Sequence, residues 1–321
     1  MKKSSKCSGA LALSLAILAS SACAGDGSER RFASLGTAGT GGIYYPLGGA
    51  LARMIGEAVP GLQITAEVTG GSVENLNRVA GGEMDIGMAI GTTLVQALRG
   101  DDADRYADVR VIAPLYPNVA HVLAAPGLEI ESLGEAGDLR VSIGAPGSGT
   151  EQMAREILAA HGLTVDDIRV QYLSFAESAT ALRDNALDIA ILSVGYPAAA
   201  VLEATTTGGV RLLAIEPAPL QALLAEHTYY DRSEIPLGIY PSTAAAIPTA
   251  SVRNWLFARA DLADEIVVAL LDALRDRTDE LASVNGVTRQ IDLEALTRAP
   301  LPLHPATVEW LRTSPPATPG T

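Results

Sequence analysis

The chain has 321 residues, 48% of them hydrophobic, with 37 acidic against 23 basic side chains and a formal net charge of −14. That balance excludes a nucleic-acid-binding face, which requires clustered Lys and Arg. Only Cys7 and Cys23 are present, so a disulfide framework is excluded as well.

Residues 1–22 read as an export signal. Lys2, Lys3 and Lys6 form a basic start, an apolar run covers 9–18, and small residues lead to Cys23. The run is too short to span a bilayer, which takes about 20 apolar residues. Two maturation routes are open: lipidation of Cys23 after Ser21-Ala22, which is favoured, or ordinary cleavage at Ala22-Cys23-Ala24. N-terminal mass spectrometry separates them. Removing the three signal lysines takes the formal charge from −14 to −17 and leaves a chain whose only strong cations are arginines.

From Phe32 onward, short apolar runs alternate with helical periodicity. Strands are predicted at 32–35, 62–68, 84–90 and 109–116, with helices at 44–57, 73–80 and 92–98. A second series follows, with strands at 122–125, 140–143, 170–173, 189–193 and 210–215 and helices at 150–161, 177–184 and 197–204. Alternation of this kind implies parallel α/β sheets. Residues 216–248 read as irregular and proline-marked, 252–258 as an apolar run, 262–284 as one long amphipathic helix, and 313–321 as a frayed tail. The domain expectation is a first lobe at 30–119, a second at 120–249, and a return to the first at 250–312, with crossings near Asn118–Val122 and Pro248–Trp255.

A glycine phrase occurs twice, Gly36-Thr-Ala-Gly39-Thr40-Gly41-Gly42 and Gly144-Ala-Pro-Gly147-Ser148-Gly149-Thr150. Each copy follows an apolar run and opens a helix. A second echo sits further on, Ser72-Val-Glu74-Asn75 against Ser174-Phe-Ala-Glu177. Two lobes of one plan would thus aim helix starts at a shared cleft, where unpaired N–H groups and the helix dipole favour anions. The ligand carboxylate is expected at the helix start near Gly41 or Gly149, more so in the Ser148–Thr150 turn.

Other chemistries are poorly supported. Tyr44 stands where a dinucleotide fingerprint needs its third glycine, and a P-loop needs a lysine. Ser148 lacks the preceding elbow glycine, since Pro146 stands there. His121, His161, His227 and His304 are isolated, without metal-ligand spacing. No enzyme, cofactor or metal is expected. Asp85 and Asp188 read as solvated strand entries, and Tyr44, Tyr45, Tyr116, Tyr196 and Tyr240 as candidate pocket linings or core.

Taken together, Gly39-Thr-Gly-Gly-Ile-Tyr-Tyr45, Gly71-Ser72-Val-Glu-Asn75, Tyr116-Pro117, Val141 to Glu151, Gly195-Tyr196-Pro197 and Pro302-Leu-His304-Pro305 resemble the solute-binding subunits of TAXI-type TRAP transporters, in order from about Phe32 to Trp310. The resemblance implies a two-lobed type II periplasmic-binding-protein fold in an exported protein that hands a small organic anion or amino acid to integral-membrane TRAP permease subunits. Glutamate, glutamine and 2-oxoglutarate-like dicarboxylates are the solutes it implies. By matching positions, it places Gly39, Thr40, Gly41, Gly42, Tyr44, Ser72 and Asn75 on one wall and Ser148, Gly149, Thr150 and Tyr196 on the other, with Thr92 and Tyr116 nearby. Ile90-Gly91-Thr92-Thr93 departs from the Gln-Ser-Asp-like sequence common in relatives, which leaves the ligand open. The alternatives are an ABC importer subunit or an extracellular sensor, and, less supported, an enzyme on the same scaffold.

Overall fold

The computed structural model describes residues 30–314 apart from 208, 242 and 244. The signal segment and Cys23 lie outside the described residues. In chain order the first run is β1 (Arg31–Gly36), α1 (Tyr44–Ala58), β2 (Leu62–Glu67), α2 (Ser72–Ala80), β3 (Ile86–Ile90) and α3 (Gly91–Arg99). The second is β4 (Val109–Ala124), β5 (Arg140–Ser142), α4 (Gly149–Ala160), β6 (Arg169–Gln171), α5 (Phe175–Arg183), β7 (Ile189–Val194), α6 (Ala199–Thr207) and β8 (Arg211–Leu213). The chain continues through α7 (Pro217–Glu226), β9 (Asp231–Ile235), β10 (Ile247–Arg259), α8 (Asp264–Asp276), α9 (Thr278–Val284) and α10 (Pro305–Thr313).

The strands run in the order β2-β1-β3-β10-β4-β7-β5-β6. β2, β1 and β3 pair in parallel, as do β6, β5 and β7, and these are the parallel ends of one continuous sheet, one in each lobe. Between them lie β4 and β10, antiparallel to each other and long enough to belong to both, paired from Val109↔Arg259 to Val119↔Ser251. The two crossings are therefore two adjacent strands.

β4 is a single strand where two are expected, at 109–116 and 122–125, and it runs through Pro114 and Pro117. Both are accommodated at a register shift between Arg253 and Trp255 of β10. A proline donates no ladder hydrogen bond, so a bulge is where a strand tolerates it. Residues 216–248, expected to be irregular, contain α7 and β9. Pro217 there starts a helix rather than breaking one, as its fixed φ and missing N–H allow at the first position. The long helix expected at 262–284 is broken at Arg277, which ends α8 and begins α9. Its guanidinium ties this corner to α1 through Glu57, at 2.9 Å.

α8 packs against α1. Ile266, Val267, Leu270, Leu271 and Leu274 pack in one cluster with Leu47, Leu51, Met54 and Ile55 of α1, each buried side chain contributing roughly 1.5–3 kcal/mol. Asp85 is an exposed strand entry, as expected, that also accepts from the Ser34 amide at 2.7 Å and hydroxyl at 3.0 Å, while Asp188 is half-buried and pairs with Arg140 at 2.6 Å.

His121 is fully buried beneath the crossing. Its Nδ1 donates to the Val119 carbonyl at 3.1 Å, and its Nε2 accepts from the Tyr240 hydroxyl at 3.0 Å, which itself accepts from the Ala198 amide. Burial lowers its pKa to about 4, against the raising effect of the Val119 carbonyl. The unfolded chain therefore binds a proton at higher pH than the folded one. The stability this group contributes is fully present above about pH 6.5 and is lost as pH falls through about 4. Urea titrations across this window are expected to show falling stability on acidification, with a shallower fall in His121→Gln. Equal slopes would contradict the assignment.

Candidate ligand cleft

A cavity of about 90 Å³ lies between the lobes, over the crossing strands. At roughly 10–15 Å³ per water position it has room for fewer than ten waters, the scale of a small metabolite. The first lobe lines it with Ala38, Gly39, Gly42, Ile43, Tyr44, Thr69 to Ser72 and Ile90. The second contributes Ala145, Ser148, Gly149, Thr150, Ser174, Phe175, Ser193 and Val194, and β4 contributes Tyr116 and Asn118.

Four helices begin at this cavity: α1, α2, α4 and α5. The Ser148 hydroxyl caps α4 by accepting from the Glu151 amide at 3.1 Å. Ser174 caps α5 in a reciprocal box with Glu177, the arrangement that Ser-x-x-Glu favours. Among the described residues, no Asp, Glu, Arg or His lines the cavity. The polarity facing a ligand is therefore hydroxyls, one carboxamide and helix starts, which stabilise negative charge without a cationic side chain.

The glycine phrases also bring the lobes together. The Gly147 carbonyl accepts from the amides of Val73 and Glu74 at the start of α2, at 3.1 and 3.2 Å. In return, the Gly41 carbonyl accepts from the Ala200 amide at the start of α6, at 3.2 Å. Each phrase thus occupies orphan donors of a helix in the other lobe. A Cβ at Gly149 would lie 2.6 Å from Ile90 Cγ1 and 2.7 Å from Ser72 Oγ, so this approach requires glycine. At the rim, Gln152 donates to Gln96 at 2.7 Å, Gln96 donates to Glu156 at 2.9 Å, and Thr93 bonds Gln152. The structure is a closed arrangement.

Beneath the cavity a buried polar network joins both lobes to the crossing. The Tyr44 hydroxyl donates to Asn254 Oδ1 at 2.5 Å, and Asn254 Nδ2 donates to the Tyr116 carbonyl at 2.7 Å and to Asn118 Oδ1 at 2.8 Å. Asn118 Nδ2 donates to the Ser193 carbonyl at 2.8 Å. Arg253 Nη1 donates to the Leu115 carbonyl at 3.1 Å, so side chains satisfy the carbonyls that the bulge removes from the ladder. Burial raises the pKa of Tyr44 and, with Tyr44 beside it, that of Tyr116. Both remain neutral phenols.

Of the residues singled out in the sequence, Gly39, Gly42, Tyr44, Ser72, Tyr116, Ser148, Gly149 and Thr150 meet at the cavity. Thr40 is exposed and Gly41 makes the interlobe contact. Asn75 is buried and braces the first lobe, donating to the Thr37 and Met88 carbonyls at 2.8 Å each. Thr92 is buried in the first turn of α3, and Tyr196 packs half-buried against the main core. His304 caps α10, its Nδ1 accepting from the Ala306 amide at 3.2 Å. Sequence reasoning missed Asn118, Phe175 and Ser193 as lining. A polar Asn118 within an apolar strand was the available signal. Among the described residues, no group of three or more His, Cys, Asp or Glu could hold a metal ion, and no helix is long and apolar enough to cross a membrane.

Comparison with known proteins gives two findings. The sequence pattern described as the NMT1-like family matches residues 35–312. Solved structures with similar folds include PhnD1 from Prochlorococcus marinus in complex with methylphosphonate, at 12% identity and TM-score 0.54, covering 80% of this chain and 90% of that one. The alkanesulfonate-binding protein SsuA from Xanthomonas axonopodis pv. citri, bound to MOPS, aligns at 19% identity and TM-score 0.50, covering 90% and 87%. The ligand-binding component of an ABC-type import system from Staphylococcus aureus aligns at 10% identity and TM-score 0.50, covering 90% and 94%. The fold is thus that of the two-lobed periplasmic binding proteins.

Proposed function

The chain belongs to the NMT1-like family, and from that premise we propose that it is the extracytoplasmic solute-binding subunit of an importer, closing its two lobes over a small organic anion. One observation carries the reading: the starts of α1, α4 and α5 and a ring of hydroxyls face a cavity that, among the described residues, no charged side chain lines, while the start of α2 is taken up by the Gly147 carbonyl. Such donors stabilise an anion locally, although the net charge of −14 does not steer one in from a distance. Among the described residues, no acid–base pair or metal set converges on the cavity, which favours binding over catalysis.

The fold relatives, one in complex with methylphosphonate, one an alkanesulfonate-binding protein and one the ligand-binding component of an ABC-type import system, support an ABC importer as the partner. The sequence motifs support a TRAP permease with a glutamate-like or dicarboxylate solute as the second reading. Uptake driven by ATP supports the first, and uptake driven by an ion gradient supports the second. Tethering through a lipidated Cys23 goes with either partner, as stable anchoring by acyl chains needs more than one.

A thermal-shift screen of carboxylates, sulfonates, phosphonates and amino acids tests the role. A solute at 100 times its Kd adds about 2.7 kcal/mol to stability. At least one small anion is expected to raise the melting temperature by several degrees. No shift from any member at millimolar concentration would contradict the proposal.

A further inference from the structure

We infer that the captured solute is an amine-free organic oxyanion with a short apolar body. This rests on the solute-binding reading and narrows it. An amino acid presents an ammonium group beside its carboxylate, and a buried ammonium requires an acidic partner. Among the described residues, the cavity lining holds no Asp or Glu. The nearest acids belong to the helix starts and are already engaged: Glu74 accepts from the Gly70 amide at 2.7 Å, Glu151 from the Gly147 amide at 3.3 Å and from Arg155, and Glu177 from the Ser174 amide at 2.8 Å and hydroxyl at 2.6 Å. The starts of α1, α4 and α5 further disfavour a cation, since their dipoles present positive ends to the cavity.

The rest of the wall specifies the body. Ile43, Ile90, Phe175 and Val194 line the cavity together with Tyr44 and Tyr116. The Tyr44 hydroxyl is committed to Asn254. A chain of a few carbons fills the cavity of about 90 Å³; a second polar group along it would lose its water against these side chains.

Titration calorimetry on matched pairs tests the inference: butanoate with 4-aminobutanoate, propane-1-sulfonate with 3-aminopropane-1-sulfonate, and pentanoate with 2-aminopentanoate. In each pair that binds, the amine-free member is expected to bind at least tenfold more tightly. An amine-bearing member that binds equally or more tightly overturns this inference and leaves the solute-binding role standing, whereas no binding by any member overturns both. The variant Ala145→Asp places a carboxylate in the cavity wall at a half-buried position with no side-chain hydrogen bond to lose. It is expected to narrow each preference severalfold with circular dichroism unchanged. Undiminished discrimination in this folded variant would overturn the electrostatic basis of the inference.

Discussion

Gly149→Ala is expected to weaken binding of the tightest solute about tenfold to a hundredfold while leaving the ligand-free protein as stable as before. The added Cβ meets Ile90 Cγ1 at 2.6 Å and Ser72 Oγ at 2.7 Å. Both partners belong to the other lobe, so an open protein does not experience the clash. Overpacking costs about 1–3 kcal/mol, here charged to the closed state alone, and 1.4 kcal/mol is tenfold in affinity. Depleting the binding-competent state raises the apparent Kd in proportion. In the open form, alanine in the first turn of α4 is neutral or slightly favourable. Gly41→Ala is the control outside the cavity. Its Cβ would meet the Ala176 amide at 3.1 Å and Ala200 Cβ at 3.3 Å, so a smaller loss in the same direction is expected. Calorimetry with wild-type affinity in Gly149→Ala would contradict the closed-state contact.

The largest expected effect on stability is that of Asn254→Leu. Asn254 is fully buried and makes three hydrogen bonds, accepting from Tyr44 and donating to the Tyr116 carbonyl and to Asn118. Leucine fills a similar volume but leaves three buried polar groups without their partner. Each such group costs roughly 1–3 kcal/mol, and Tyr44 at the cavity edge can recover water. A net loss of about 3 kcal/mol or more is expected from urea denaturation. Because Tyr44, Asn118 and Ser193 also line the cavity, weaker binding should accompany it. A loss below about 1 kcal/mol would show that the network does not hold the crossing together.

Much of this architecture is legible in the sequence because it depends on local patterns. The duplicated glycine phrase, each copy between an apolar run and a helical period, identifies α1 and α4 and the lobes they open. Ser148 and Ser174 announce their caps through the residues that follow, Glu151 and Glu177. What escapes is non-local. The continuity of β4 through Pro114 and Pro117 depends on the bulge against β10, and Pro217 looks like a break until it stands at a helix start. Gly41 and Asn75 have the character of ligand contacts, yet the structure uses one to dock the lobes and the other to brace a carbonyl pair. Phe175 and Ser193 reach the cavity only through lobe packing, which no spacing along the chain encodes.

The central claim is that the two lobes form a trap that closes over a small anion. Small-angle scattering with and without the tightest solute of the screen tests it most directly. The account predicts a smaller radius of gyration at saturation in the wild type, and a smaller change, or none, in Gly149→Ala at the same solute concentration. A wild-type radius unchanged by a solute that calorimetry shows to be bound would contradict it.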